Sequence, residues 1–379
     1  RYISVTGVQT CALPIFSQLL NAADRSIAIG GTSGKSTVTG MIGWILHALG
    51  QRPTVMNGAV MKNFVSPETP FASALVGDPQ LFVSEVDESD GSIALYQPKI
   101  ALLNNVSLDH KEMDELRRLF GDFLRASDTP VINLDDAESR AIAAEVPGAV
   151  GYGFEADAAS VRGTDLMLDA GASTFTVTAG DERAEVRLAL PGRHNASNAL
   201  GALAAVHALG LPLADAAAAL AGFSGLRRRL ETVGTEAGVT VIDDFAHNPD
   251  KIAATLATLT AAPGRLLIVF QPHGYGPLAK MGEELSATFA RGLRADDLLI
   301  LSDPVYQGGT VDRSRGSDWL ADAIVEAGGQ AEHIPLRVDI GKRLLAEARA
   351  GDRIAILGAR DDTLSEFAAE LLRNLAQRG

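Results

Sequence analysis

Short runs of β-branched and apolar residues alternate along this chain with longer stretches of helical spacing. That alternation is the pattern of a wound, mostly parallel sheet. The first run, Ser26–Gly30, leads through a glycine turn into a helix predicted from about Lys35 to Leu49 and stopped by Gly50. Leu81–Val86, Lys99–Val106 and Pro130–Asn133 read as further strands. Between Ala149 and Leu190 the period falls to two, as in Thr174-Phe175-Thr176-Val177-Thr178, which predicts a small antiparallel sheet inserted in the first domain. An Ala-rich helix begins at Asn195. A second series follows Phe223, with strands at Val239–Asp243, Arg265–Phe270, Asp297–Ser302 and Arg353–Leu357. The boundary is placed near Ser224-Gly225.

Length agrees with two such series, because 379 residues at ~150 per domain make two or three domains. Lys and Arg number 33 against 47 Asp and Glu, a net charge of -14. Nucleic acid and anionic membrane surfaces are thereby disfavoured as main partners, since both need a basic face. An anionic ligand must instead meet a local positive site. The single Cys11 excludes an intramolecular disulfide and points to a reducing cytoplasm. The uncharged run Asn195–Ala214 mixes Asn, Ser, His and Gly among its alanines, as a packed helix does and a membrane span does not. Arg1–Phe16 has neither an initiating Met nor the layout of a signal peptide, and carries no functional weight here.

The strongest chemical signal is Gly31-Thr32-Ser33-Gly34-Lys35-Ser36-Thr37, directly after a strand and opening a helix. Backbone N–H groups of such a turn cradle phosphates, and the helix dipole adds positive potential. Lys35 is placed to reach the β- and γ-phosphates, and Ser36 to offer its hydroxyl to Mg²⁺. The general phosphate loop has Gly where this chain has Ile29. The competing reading is a flexible Gly/Ser turn; the strand–loop–helix context favours phosphate binding.

The shortened loop resembles that of the Mur ligase family, and the resemblance extends down the chain. Ser84-Glu85-Val86-Asp87-Glu88-Ser89-Asp90-Gly91-Ser92 is similar to that family's acidic segment after a strand. Leu103–His110 is similar to its strand end with an Asp-His pair, and Leu190–Ala199 to its adenine-binding helix start. Gly225-Leu226-Arg227-Arg228-Arg229-Leu230-Glu231 and Asp243-Asp244-Phe245-Ala246-His247-Asn248-Pro249 follow in the family's order. The resemblance implies an α/β fold. Its parts would be a suspect N-terminal remnant at 1–23, a phosphate-loop domain with a mostly parallel sheet and small antiparallel insert at 24–224, and a Rossmann-like C-terminal domain at 225–379.

It further implies an ATP-dependent, amide-forming ligase acting through an acyl phosphate. A carboxylate is a poor acyl donor, and both phosphoryl transfer and amine attack develop negative charge that fixed cations must stabilise. Lys35, His110 and Arg229 are the implied catalytic residues. Gly31 to Thr37, Asn195, Asn198, Arg229 and Asp244 would bind ATP. Ser36, Glu85 and His110 would hold metal, and His247 and His273 would meet the incoming substrate. Each also has a plain reading: Glu85 in a solvated acidic turn, Asp109-His110 as a helix cap, Asn195 and Asn198 as the N-cap and first turn of the Ala-rich helix, Arg227–Arg229 as solvated charge.

The implied substrates are a UDP-N-acetylmuramate-type carboxylate and an amino acid or peptide, with L-alanine favoured by the acidic segment. A ligase that recycles a preformed peptide is the neighbouring alternative, slightly favoured by Asn104-Asn105. A nucleotide-binding paralogue without turnover is the third. Three departures bear on this. There is no Lys between Lys111 and Lys251 to serve as the carbamylated, metal-bridging lysine of several members. Asn248 and Gly274 stand where the similar branch has His and Arg. Fewer than thirty residues precede the phosphate loop, where the family has a UDP-binding domain of ~100 residues, so truncation is expected. Two domains clasping ATP would hinge near Ser224-Gly225.

Overall fold

The structure, a computed structural model, describes residues 15–107, 111–169, 171–306, 308 and 310–378. The chain divides into two compact units between Leu226 and Arg227.

The first unit is built on one ten-stranded sheet. Its strands are β1 (Arg25–Gly30), β2 (Pro53–Met56), β3 (Ala74–Leu75), β4 (Asp78–Glu85), β5 (Ile100–Leu103), β6 (Thr129–Asn133), β7 (Val150–Gly153), β8 (Val161–Leu168), β9 (Ser173–Ala179) and β10 (Glu182–Leu188). They run in the order β10-β9-β8-β7-β6-β5-β1-β4-β2-β3. β2, β4, β1, β5, β6, β7 and β8 pair parallel. The alternating segment does form antiparallel strands, β8 to β10, and these continue the main sheet through β7.

Its helices are α1 (15–22), α2 (Lys35–Ala48), α3 (Met113–Arg125), α4 (Ala137–Ala143), α5 (Arg193–Ala208) and α6 (Leu213–Leu220). Along β1, successive side chains point to opposite faces. Ile27 and Ile29 meet α2, α5 and α6 through Met41, Ile42, Leu200 and Ala216. Ala28 meets the other side, where Phe120 and Leu124 of α3 and Ile142 of α4 pack. Covering both faces buries β1 and β5 outright, which is why they read as continuous apolar runs. The Ala-rich helix opens at Arg193 with Gly192 as its N-cap. Asn195 is thus not the N-cap expected from sequence; the left-handed φ of 97° at Gly192 starts the helix two residues earlier.

The second unit carries six strands: β11 (Glu231–Glu236), β12 (Val239–Asp244), β13 (Leu266–Gln271), β14 (Leu298–Leu301), β15 (Ala331–His333) and β16 (Arg353–Gly358). They run β11-β12-β16-β13-β14-β15, parallel except for the β11–β12 pair. α7 (Pro249–Ala261), α8 (Tyr275–Gly292) and α9 (Ser317–Glu326) cover one face through Leu256, Phe289 and Leu320. α10 (Arg337–Glu347) and α11 (Thr363–Ala376) cover the other through Leu344 and Leu371. In both units the candidate residues gather beyond the carboxyl ends of parallel strands, where open α/β sheets place their sites. No helix among the described residues is long and apolar enough to cross a membrane.

Candidate active site

In the first unit, β1 ends at Gly30 and the chain turns through Gly31 to Gly34 into α2. Gly34 sits at the N-cap with φ 83°, and Gly31 at φ 132°. Both values favour glycine. A Cβ at Gly34 would also overlap the side chains of Asn104 and Asn198. The loop is laced to the strand end beside it. Thr32 N donates to Asn105 O at 3.0 Å, and Ser33 N to Asn105 Oδ1 at 2.8 Å. Ser107 N donates to Thr32 Oγ1 at 3.0 Å.

Asn104 is the hub below this loop and is 2% exposed. Its amide nitrogen donates to Ser33 O and to Asn198 Oδ1, each at 2.9 Å. Its amide oxygen accepts from Tyr152 OH at 2.8 Å. The side chain's two N–H groups are thereby both used, in a setting where an unmade bond costs about 1–3 kcal/mol. Loop, β5, β7 and α5 are joined at a single residue. Sequence reading passed over Tyr152 and weighed Asn104 only with Asn105, as a mark of the peptide-recycling alternative and not as a hub; the available signal was a polar residue ending an otherwise apolar strand.

The charged groups are equally ordered. Lys35 Nζ donates to Gly31 O at 2.7 Å and to Glu88 Oε2 at 2.8 Å. Ser36 Oγ donates to Glu85 Oε2 at 2.8 Å, and Gly58 N donates to Glu85 Oε1. A hydroxyl and a carboxylate oxygen side by side are hard donors, so this pair fits a Mg²⁺ ion. Asn195 and Asn198 are buried at the start of α5, Asn195 donating to Pro191 O at 2.7 Å. His110 lies outside the described residues, and among those described no cluster of three metal-ligating side chains forms.

Both halves of the chain match models of one family: the Mur ligase middle domain over residues 29–206 and the Mur ligase glutamate ligase domain over 228–360. The chain belongs to the Mur ligase family. It is an ATP-dependent, amide-forming ligase. Among curated Mur ligases, the UDP-N-acetylmuramate–L-alanine ligase of Streptomyces avermitilis is 34% identical over 93% of this chain and 76% of its own length. That of Clavibacter sepedonicus is 36% identical, covering 90% and 71%. Among solved Mur ligases, UDP-N-acetylmuramate–alanine ligase from Thermotoga maritima shares the fold with a TM-score of 0.77 at 22% identity, over 98% of this chain and 79% of that one. A murein peptide ligase from Psychrobacter arcticus does so at 0.68 and 24%, over 99% and 84%.

The C-terminal unit of this Mur ligase holds the remaining candidates. Of the arginine triplet, Arg227 is exposed, Arg228 buried and Arg229 half-buried. Arg228 is committed internally, its Nη2 donating to Gly358 O at 2.8 Å and its Nη1 pairing with Asp362 at 3.1 Å. Arg228 and Arg229 stack on Phe245, their guanidinium carbons 5.0 and 4.6 Å from the ring centre. Asp244 is 6% exposed and accepts three bonds, from Leu230 N at 2.6 Å, Ala246 N at 2.9 Å and Thr255 Oγ1 at 3.0 Å. It pins the arginine turn, where Arg228 and Leu230 hold φ of 58° and 46°. Neighbouring Asp243 is also buried. Burial raises its pKa, against the opposing Ser365 hydrogen bond and the Arg228 charge.

His247 and His273 come together, with ring centres 4.8 Å apart and planes at 73°. His247 Nδ1 lies 2.8 Å from Phe245 O. A carbonyl only accepts, so that nitrogen carries the hydrogen. Asn248 caps α7, accepting from Lys251 N at 3.0 Å, with Pro249 at the first helical position. Asn is a better cap than His, which gives its presence here a local reason. Gly274 has φ 151° and opens α8.

Proposed function

We propose that this ligase joins L-alanine to UDP-N-acetylmuramate, consuming ATP with Mg²⁺ in the cytoplasm. The observation that carries the substrate assignment is the agreement of relatives at 32% to 36% identity, which bear that name across about nine-tenths of the chain. The phosphate loop supports the nucleotide half independently.

In this reading the loop amides and Lys35 hold the ATP phosphates, and Asn195 and Asn198 address the adenine. Ser36 and Glu85 hold Mg²⁺, which would neutralise charge developing on the transferred phosphoryl group. His110 is proposed as a further ligand. The substrate carboxylate takes the γ-phosphoryl, giving acyl phosphate and ADP. The alanine amine then attacks the acyl carbon, the C–O bond to phosphate breaks, and an amide, phosphate and a proton result. Arg229 is assigned to the nucleotide. Asp244, its oxygens already engaged, serves by fixing the Arg228–Leu230 turn. His247 and His273 are assigned to the incoming amino acid.

The test is phosphate release from ATP, Mg²⁺ and UDP-N-acetylmuramate, with L-alanine or a murein tripeptide as the variable. Release with L-alanine supports the proposal. Release with the tripeptide alone moves the protein to the peptide-recycling reading, which Asn104-Asn105 slightly favours. Amine-dependent release of either kind rules out a paralogue without turnover.

A further inference from the structure

Two carboxylates adjoin the phosphate loop, and only one is needed for metal. Glu85 faces Ser36. Glu88 instead sits on the loop lysine, Oε2 to Nζ 2.8 Å, its side chain 4% exposed. One ammonium against two carboxylates leaves a single net negative charge where a polyphosphate would arrive. Glu88 is held in place by the turn that follows β4, where Gly91 N donates to Glu88 O at 3.3 Å and Asp87 and Asp90 cap Ser89 N and Ser92 N. Lys35 is meanwhile tied back to Gly31 O, so the pair belongs to the folded loop itself.

We infer that Glu88 makes nucleotide binding conditional on a divalent cation. Its carboxylate cancels the lysine charge that would draw in a metal-free polyphosphate. A metal-complexed nucleotide carries less negative charge and brings the cation that Glu85 faces, so net attraction returns. Glu88 is a positioning and selecting residue in this account, acting through Lys35. The inference rests on the nucleotide reading above. It differs from a merely structural ion pair in one respect. Loss of a structural pair weakens both nucleotide forms alike, whereas loss of this one strengthens the metal-free form selectively.

The experiment is calorimetric titration of the full chain with ADP, in excess Mg²⁺ and in EDTA. Glu88→Gln keeps the shape and an acceptor for Lys35 while removing the charge. Removing one unit charge close to the phosphates predicts a rise of about tenfold in metal-free ADP affinity, with MgADP affinity changed far less. Parallel losses in both forms, or unchanged metal-free affinity, overturn the inference. The wild-type chain gives a second reading that needs no variant. Metal-free ADP affinity should hold or rise as salt screens the repulsion; a steep fall, as at a cationic site, overturns it. Should the wild type bind ADP in neither condition, the nucleotide reading itself fails and the inference goes with it.

Discussion

Asn104 donates to Asn198 Oδ1 at 2.9 Å directly below Gly34, so the floor of the phosphate loop is a side-chain bond between β5's end and α5. Replacing Asn198 by Ala strands a buried N–H of Asn104, and the expected loss is about 1–3 kcal/mol. Tyr152→Phe, which removes the donor to Asn104 Oδ1, should cost about 1 kcal/mol. Urea unfolding followed by far-ultraviolet dichroism checks both. Variants as stable as the wild type would refute the hub.

Gly34→Ala tests the loop's geometry rather than its charge. At φ 83° with two amide side chains against the new Cβ, the loop must shift. ADP affinity should drop by at least about tenfold, because the amides proposed to cradle the phosphates move. Lys35→Ala should abolish detectable binding through loss of charge. Calorimetry on both variants decides, and undiminished affinity in Lys35→Ala would remove the phosphate reading.

In the C-terminal unit, Asp244→Asn leaves one acceptor oxygen for three donors. The turn with Arg228 and Leu230 at positive φ then loses a tether. A stability loss of about 1–3 kcal/mol is expected, with turnover falling further as Arg229 loses its position on Phe245. Thermal unfolding beside phosphate-release kinetics separates the two effects.

Asp297 gives a pH test with a defined sign. Burial opposes its charge, but hydrogen bonds from the Arg294 side chain and backbone and from Leu266 N outweigh this, holding its pKa below the ordinary 3.8. A depressed native pKa contributes stability above pH 3.8 that is lost as pH falls through the native value. The wild type should therefore exceed Asp297→Asn in stability at pH 7, with the gap closing toward pH 3. A gap independent of pH would contradict the assignment.

Much of this was legible in the chain. The strand runs around Ile29, Val83 and Leu102 are buried on both faces, so their apolar pattern carried the signal directly. Gly34 was legible because the turn between β1 and α2 requires a positive φ, which few residues besides glycine adopt. β11 was not, since its side chains are mostly half-buried or exposed at a sheet edge and leave little pattern. Asn195 misled the cap assignment because Asn is a common N-cap, while Gly192 three residues earlier took the role through its backbone. Glu88 and Asn104 depend on pairings across 53 and 94 residues, with Lys35 and Asn198, which no local spacing encodes.

The position of β1 between β4 and β5 has a consequence for slow motions. Its ladder is closed on both sides and its side chains are wrapped from both faces, so its amide hydrogens should exchange with deuterated solvent only through the deepest opening of the first unit. The phosphate loop starts at the end of that strand. Any protection gained on adding nucleotide would therefore appear in the loop and in α2's first turn, while β1 itself stayed silent, already as slow as the unit allows.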